Sequence, residues 1–417
     1  MSNERSGFSS RLGFVLATAG SAVGLGNIWR FPYLAAKYGG GTFLLTYLIL
    51  TLTFGFSLMI TEVALGRKAG TSAIRAFGHF SKKHTFIGYL TTIIPFIIFP
   101  YYCVIGGWVT KYALVSLQGG IHNAASDTFF TGFISKSAEP MICVLVFLIA
   151  TTVVVAGGVK GGVERVSTIM MPVLIVLLIG VSLFCITRPG AMAGVAYYLK
   201  PSLKGFGPTT ILAALGQLFY SMSLAMGIMI TFGSYMPKKA DLEKSVTQVE
   251  IFDTGVAFLA GLMIVPAVFV FSNGDSSMLA KGPSLMFVML PKVFDSMAFS
   301  SVIAAVFFIL VLLAALTSSI SLLETLVAVL MDKFHMKRGT ACITMFIIAL
   351  LLAVPSSLGF GAWSNITILG FDFLDFFDFI SNSVLMPIAA FLTCLFVGYI
   401  IKPKVIVDEV ESSGEFK

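Results

Sequence analysis

Apolar residues along this chain fall in long runs, without the 3.6- or 2-residue alternation of a half-buried surface element. Ten runs, at roughly 11–36, 41–66, 86–117, 139–157, 163–186, 208–236, 243–272, 298–331, 340–358 and 372–401, approach or exceed the ~20 residues that cross about 30 Å of hydrocarbon. Helices are predicted, because a helix satisfies every backbone amide within its own segment. The alternating strands of about 10 residues that a barrel needs are not seen. Two runs are interrupted. The first contains Gly20-Ser-Ala-Val-Gly-Leu-Gly-Asn27, and glycine costs about 1 kcal/mol relative to alanine within a helix. The sixth carries the polar cluster of Gly216-Gln-Leu-Phe-Tyr-Ser-Met-Ser-Leu-Ala-Met-Gly227. Spans one and six are equivalent if the chain is two halves of five, and five being odd, the second half is then inverted. The pattern predicts an all-α polytopic membrane protein with a ten-helix core, a 5+5 inverted repeat, and helices one and six unwound at mid-membrane. A glycine-rich packing face between helices is the plainer use of the same glycines.

Composition narrows the class. Hydrophobic residues make up 57% and charged residues 11%, against about 25% charged in soluble domains. The mean hydropathy is +0.96. The net charge of +7 is no nucleic-acid footprint, because its placement follows topology. Eighteen of the 27 Lys and Arg fall on the side of the N-terminus, six on the other, and three within spans. Both termini are therefore predicted to be cytoplasmic, in a plasma or inner membrane. The division follows: a cytoplasmic segment 1–10, a first repeat 11–186, a second repeat 208–401 and a cytoplasmic tail 402–417. Five cysteines, odd in number, sit in apolar runs and read as small hydrophobes.

Unwound backbone at mid-membrane survives where it lines a cavity or binds something. Half-helix N-termini suit a carboxylate, and freed carbonyls suit Na⁺ and ammonium, so a zwitterionic amino acid with sodium matches both ends. Hard cations want oxygen ligands, and Asn27, Ser221, Asp253, Thr317 and Ser318 offer them. Each hydroxyl has the alternative of bonding back to its own helix, and Asp253 that of a solvated position near a span end. A carboxylate within a span is expensive and by default functional. Glu62 and Glu324 read as structural acids held by backbone amides. Arg30 with Asp375, and Arg5 with Asp332, are placed to meet at opposite ends of the site. No nucleophile–base constellation is visible, so no enzyme activity and no organic cofactor are expected.

The stretch Gly20-Ser-Ala-Val-Gly-Leu-Gly-Asn-Ile-Trp-Arg-Phe-Pro32, followed by Gly39-Gly-Gly41, resembles the first helix of neurotransmitter:sodium symporters. Gly216-Gln-Leu-Phe-Tyr-Ser-Met-Ser-Leu224 and Leu316-Thr-Ser-Ser-Ile-Ser321 match as well, and the bacterial branch of hydrophobic amino-acid transporters is most similar. The resemblance implies two sodium sites. One uses Ala22, Asn27, Ser221, Asp253 and the substrate carboxylate; the other uses Gly20, Val23, Ala314, Thr317 and Ser318. It implies a substrate carboxylate on Leu25, Gly26 and Tyr102, and an ammonium on Ala22, Tyr220, Ser221 and Ser223. Ile98, Ile105, Tyr220, Met226, Ser319 and Leu322 would surround the side chain, with Ser318 beside them. Arg30 and Asp375 would gate the outside; Arg5, Tyr235, Glu324 and Asp332 would gate the inside. Gly162 and Pro172 match a spacing at which relatives unwind span five to release sodium; an ordinary membrane-helix proline is the alternative.

Three departures from the pattern matter. Asp253 replaces the Asn of chloride-dependent relatives, so chloride-independent transport is expected. Ala225-Met226-Gly227 replaces a Gly-aromatic-Gly: flexible Met admits larger side chains, while Ala225 should stiffen the turn. The polar ending Gly414-Glu-Phe-Lys417 reads as a linker into a further span, the alternative being a protein that works on ten helices alone. The expected function is sodium-coupled import of hydrophobic L-amino acids by alternating access. The expected partners are the amino acid and the lipid bilayer, not nucleic acid, with the chain a monomer or weak dimer. The rivals are another amine or osmolyte on the same scaffold, an amino-acid sensor, or a channel.

Overall fold

The computed structural model describes residues 7–202, 206–272 and 284–413. Among these residues eight uninterrupted helices are long and apolar enough to cross a bilayer: Gly41–Ala69, Lys82–Leu117, Ala138–Ala156, Val159–Ile186, Leu242–Phe271, Ser300–Phe334, Arg338–Leu358 and Phe373–Ile401. The first span is a pair, Arg11–Ala22 and Gly26–Lys37, bent by 51° at its break. The sixth is two short helices, Pro208–Ser221 and Ile228–Tyr235, of 14 and 8 residues. Each expected run is thus helical, with ends within four residues of the hydropathy boundaries. The molecule is an all-helical multi-span membrane protein.

Chemistry at the ends explains where helices start. Ser10 accepts from the Gly13 amide at 3.0 Å, and Asp241 from the Lys244 amide at 3.0 Å, each supplying an acceptor to an orphan donor of a first turn. Asp372 does the same for Asp375 at 2.8 Å.

Burial separates the spans. In its most apolar window the third span is 78% buried and the eighth 61%, against 33% for the fifth and tenth. The third and eighth are the central posts, and the others turn a face to lipid. Glycine sets the closest approaches between them. A Cβ on Gly66 would stand 1.8 Å from the Ile230 carbonyl oxygen, and one on Gly233 2.3 Å from that of Val63, so spans two and six touch backbone to backbone. Gly107 meets the Val144 amide at 2.8 Å in the same way, joining spans three and four. A short helix, Lys404–Glu411, follows the tenth span and folds back against the end of the second, where the buried Arg67 donates to Glu409 at 2.8 Å and to the Ala240 carbonyl at 2.9 Å.

Candidate functional site

Both breaks open toward the same interior. The first half of span one ends at Ala22, and Val23 turns to extended backbone (φ −75°, ψ 99°), which releases the carbonyls of the last turn. In the sixth span Ser223 (φ 53°), Ala225 (φ 61°) and Gly227 (φ 70°) all take left-handed conformations. Two of them are not glycine, and each such residue costs roughly 1–2 kcal/mol. The compensation is visible: the Ala225 amide donates to Glu62 Oε1 at 2.9 Å. Glu62 is thereby the structural acid the sequence suggested, and Ala225 unwinds where it was expected to stiffen the turn.

Asp253 is buried in span seven at the centre of a four-residue cluster. Its Oδ1 accepts from Asn27 Nδ2 at 2.7 Å and Ser221 Oγ at 2.9 Å; its Oδ2 accepts from Ser221 Oγ at 3.1 Å and Tyr47 OH at 3.2 Å. Asn27 Oδ1 in turn accepts the Gly24 amide at 3.1 Å, which holds the break open. Among the described residues no lysine, arginine or histidine pairs with Asp253. A buried carboxylate without a cationic partner is costly unless an ion supplies the charge. Tyr47 was missed by the sequence reading, since a tyrosine within an apolar run carries no sign of the direction it faces.

A second oxygen cluster lies on the other side of the break. Ser318 Oγ lies 2.9 Å from the Ser21 carbonyl oxygen, 3.3 Å from that of Val23 and 3.5 Å from that of Gly20. Thr317 Oγ1 donates to its own helix, at 3.0 Å to Ala314 and 3.1 Å to Leu313. The five residues expected at this position are therefore neighbours, all oxygen donors with no histidine or cysteine, a set that fits a hard monovalent cation.

Between the two clusters lies a cavity of about 30 Å³ lined by Ala22, Leu25, Gly26, Ile98, Tyr102, Tyr220, Ser223, Met226, Ser318 and Leu322, together with Ser21, Gly24 and Ile228. The first ten were expected; Ser21, Gly24 and Ile228 were not, because hydropathy carries no sign of which residues beside a break face a cavity. The Leu25 amide donates to Tyr102 OH at 3.4 Å, and Ser223 Oγ donates to the Ser21 carbonyl at 3.1 Å. Three expected lining residues stand elsewhere: Ser221 belongs to the Asp253 cluster, its Oγ 2.9 Å from Oδ1. Ile105 lines a separate, outer cavity of about 190 Å³, and Ser319 Oγ lies 2.9 Å from Thr151 Oγ1 in span four.

Tyr220 separates the inner and outer cavities, with the Arg30 guanidinium 5.3 Å from its ring centroid. The expected Arg30–Asp375 pairing is not formed. Arg30 donates to the Gly216 carbonyl at 3.4 Å, and Asp375 lies in the first turn of its helix, its amide bound to Asp372. Asp378, three residues further on, faces the outer cavity with Arg30 instead and accepts from Tyr101 OH at 3.2 Å. A helix start repeating Asp every third residue gives three candidates, and only the packed structure chooses among them.

At the opposite end Tyr235 OH donates to Glu324 Oε1 at 2.8 Å, and Arg338 grips both oxygens of the same carboxylate at 2.7 and 2.8 Å. Glu324 is held by side chains, not by the backbone amides expected of it. Arg338, read from sequence as a topology charge, is its main partner. Asp332 accepts the Ser72 amide at 2.7 Å. Arg5 lies outside the described residues. Gly162 packs so tightly that an added Cβ would meet the Val154 carbonyl oxygen at 1.9 Å, within the π-helical turn Val159–Glu164 that opens span five; Pro172 lies in the helix that follows.

Broken helices around a buried polar site, in a multi-span membrane protein, define a transporter. Comparison with known proteins gives the family. The sequence profile of the sodium:neurotransmitter symporter family matches residues 5–132 and 130–417. The sodium-dependent transporter YhdH of Bacillus subtilis is 36% identical over 412 residues, 98% of this chain and 90% of that protein. The crystal structure of MhsT in complex with L-phenylalanine superposes with a TM-score of 0.90 at 39% identity, covering 98% of this chain and 93% of MhsT. The human sodium- and chloride-dependent GABA transporter 2 is 27% identical over 380 residues, 79% of this chain and 62% of its own length. The chain belongs to the sodium:neurotransmitter symporter family. It is a sodium-dependent transporter and not an enzyme.

Proposed function

We propose that this protein imports hydrophobic L-amino acids together with sodium, by alternating access and without chloride. The observation that carries the reading is the buried carboxylate of Asp253, which has no cationic side-chain partner among the described residues, beside the break of span one and next to a cavity lined by apolar side chains, hydroxyls and the backbone of the break. One sodium would be held by Ala22, Asn27, Ser221 and Asp253, and a second by Gly20, Val23, Ala314, Thr317 and Ser318. The substrate carboxylate would complete the first shell and meet the Leu25 and Gly26 amides and Tyr102. Its ammonium would meet Ser223 and the carbonyls of Ala22, Tyr220 and Ser221. That MhsT holds L-phenylalanine supports a hydrophobic substrate.

Coupling follows from sharing, because sodium and the carboxylate each supply part of the other's site. Inward sodium movement then supplies about 2.3 kcal/mol per charge per 100 mV, beside its concentration gradient. Spans one, two, six and seven would move against three, four, eight and nine around the central site, each group taking spans from both repeats. The glycine contacts between spans two and six, and between three and four, suit rigid pairs of this kind. Arg30, Tyr220 and Asp378 would close the outer side. Tyr235, Glu324, Arg338, Asp332 and Arg5 would close the inner side, where both ends of the chain would lie. Gly162 and Pro172 would let span five unwind to release sodium.

The test is uptake of radiolabelled L-phenylalanine, L-leucine and L-tryptophan into proteoliposomes under an imposed sodium gradient. Accumulation above the outside concentration, abolished by dissipating that gradient, is expected. Equilibration alone would favour a channel, and binding without uptake a sensor.

A further inference from the structure

A groove of about 340 Å³ lies between the start of span three and the end of span ten, on the outer surface of the helix bundle. His84, Phe86, Leu392, Phe396, Tyr399 and Ile400 line it, and it belongs to none of the clusters described above. Its floor is built: the His84 ring packs on Phe396 at 5.5 Å between centroids and is fixed by a 2.8 Å hydrogen bond with Ser81 Oγ. Its walls are open, with Phe86 52%, Ile400 47% and Tyr399 77% exposed.

Lysines adjoin the groove's lining residues along both chain segments. Lys82 and Lys83 immediately precede His84, and Lys402 and Lys404 follow Ile400 by two and four residues. All four are exposed, and none is in an ion pair among the described residues. The sequence has no acidic residue between Glu62 and Asp127, nor between Asp378 and Asp408. Of the acids on other elements, Asp332 accepts the Ser72 amide and Glu409 is held by Arg67; Asp408 and Glu411 lie four and seven residues beyond Lys404 on the terminal helix. On both helices the lysines begin where the apolar run of sequence stops, and basic residues at the ends of membrane spans meet the lipid headgroups.

We propose that this groove binds one anionic phospholipid, an acyl chain lying along Phe86, Leu392, Phe396 and Ile400 and the phosphate held by Lys82, Lys83 and Lys402. A basic pocket between membrane helices selects acidic headgroups. A zwitterionic lipid brings its own ammonium to the same lysines and loses that attraction.

The test is native mass spectrometry of the whole chain, delipidated and then exposed to dioleoyl phosphatidylglycerol or dioleoyl phosphatidylcholine. One phosphatidylglycerol per chain should be retained at collision energies that strip phosphatidylcholine. The Lys82→Gln/Lys83→Gln pair should lose that preference, and Leu392→Trp, which fills the groove without touching charge, should lose retention of the lipid. Glycerol phosphate alone should not bind. Equal retention of the two lipids, retention that survives all three substitutions, or a dimer that buries this groove in place of lipid would each overturn the proposal. Melting temperatures of the variants in detergent separate lost binding from lost folding.

Discussion

Tyr47 of span two and Asp253 of span seven are joined by a 3.2 Å hydrogen bond from the phenol to the carboxylate, buried on both sides. The same hydroxyl lies 3.3 Å from Ser221 Oγ, so one tyrosine braces the carboxylate and the Ser221 hydroxyl of span six together. A hydrogen bond to a charged group contributes about 1.5–3 kcal/mol. Tyr47→Phe should therefore raise half-saturating sodium about tenfold or more with folding intact, measured by sodium titration of substrate binding.

Asp253 places a fixed negative charge where the first sodium is proposed. Uptake should be unchanged when chloride is replaced by gluconate, and strict dependence on chloride at saturating sodium would sink that reading. Asp253→Asn keeps the shape and removes the charge. It should weaken sodium at least tenfold, and any uptake that remains should become sensitive to chloride.

Gly24 separates the two clusters. A Cβ there would lie 2.4 Å from Ser318 Oγ and 3.1 Å from Tyr102 OH. Gly24→Ala should push Ser318 away from the span-one carbonyls and lower uptake more than tenfold in a protein that still elutes as a single species. Gly255, two residues from Asp253, faces open space. Gly255→Ala should leave uptake unchanged, and equal losses in both variants would show that helix stiffness, not the site, is responsible.

Arg338 is the main partner of a carboxylate with no exposed side-chain surface, at 2.7 Å. Removing one member of such a pair typically costs 3–5 kcal/mol; with Arg338 19% exposed, about 3 is expected. Arg338→Ala should lower the melting temperature, and adding Glu324→Gln should restore part of the loss. A double variant as unstable as the single one would remove the pairing from the account.

Hydropathy was sufficient for every span, and glycine with polar residues inside two runs located both breaks. What it does not encode is direction. Spans apolar on all sides carry no stripe that says which face is inward, so Tyr47 and Ser21 went unnoticed and Ile105 was placed one cavity too deep. Asp375 and Asp378 differ by less than one turn, and the choice between them rests on how span ten packs against Tyr101. Arg338 was counted as a loop charge because its role depends on Glu324, fourteen residues earlier on another helix. Ala225 was expected to resist unwinding, which follows from its own preference; the Glu62 carboxylate that reverses this lies 163 residues away in the chain.

The central claim is that sodium and a hydrophobic amino acid complete one another's sites. The most direct measurement is the dissociation constant of L-phenylalanine for the purified protein across a sodium series, with choline holding ionic strength constant. The account predicts that affinity rises at least tenfold as sodium saturates, and that phenylalanine tightens sodium by the same factor. An affinity for phenylalanine that is the same in choline as in sodium would contradict it.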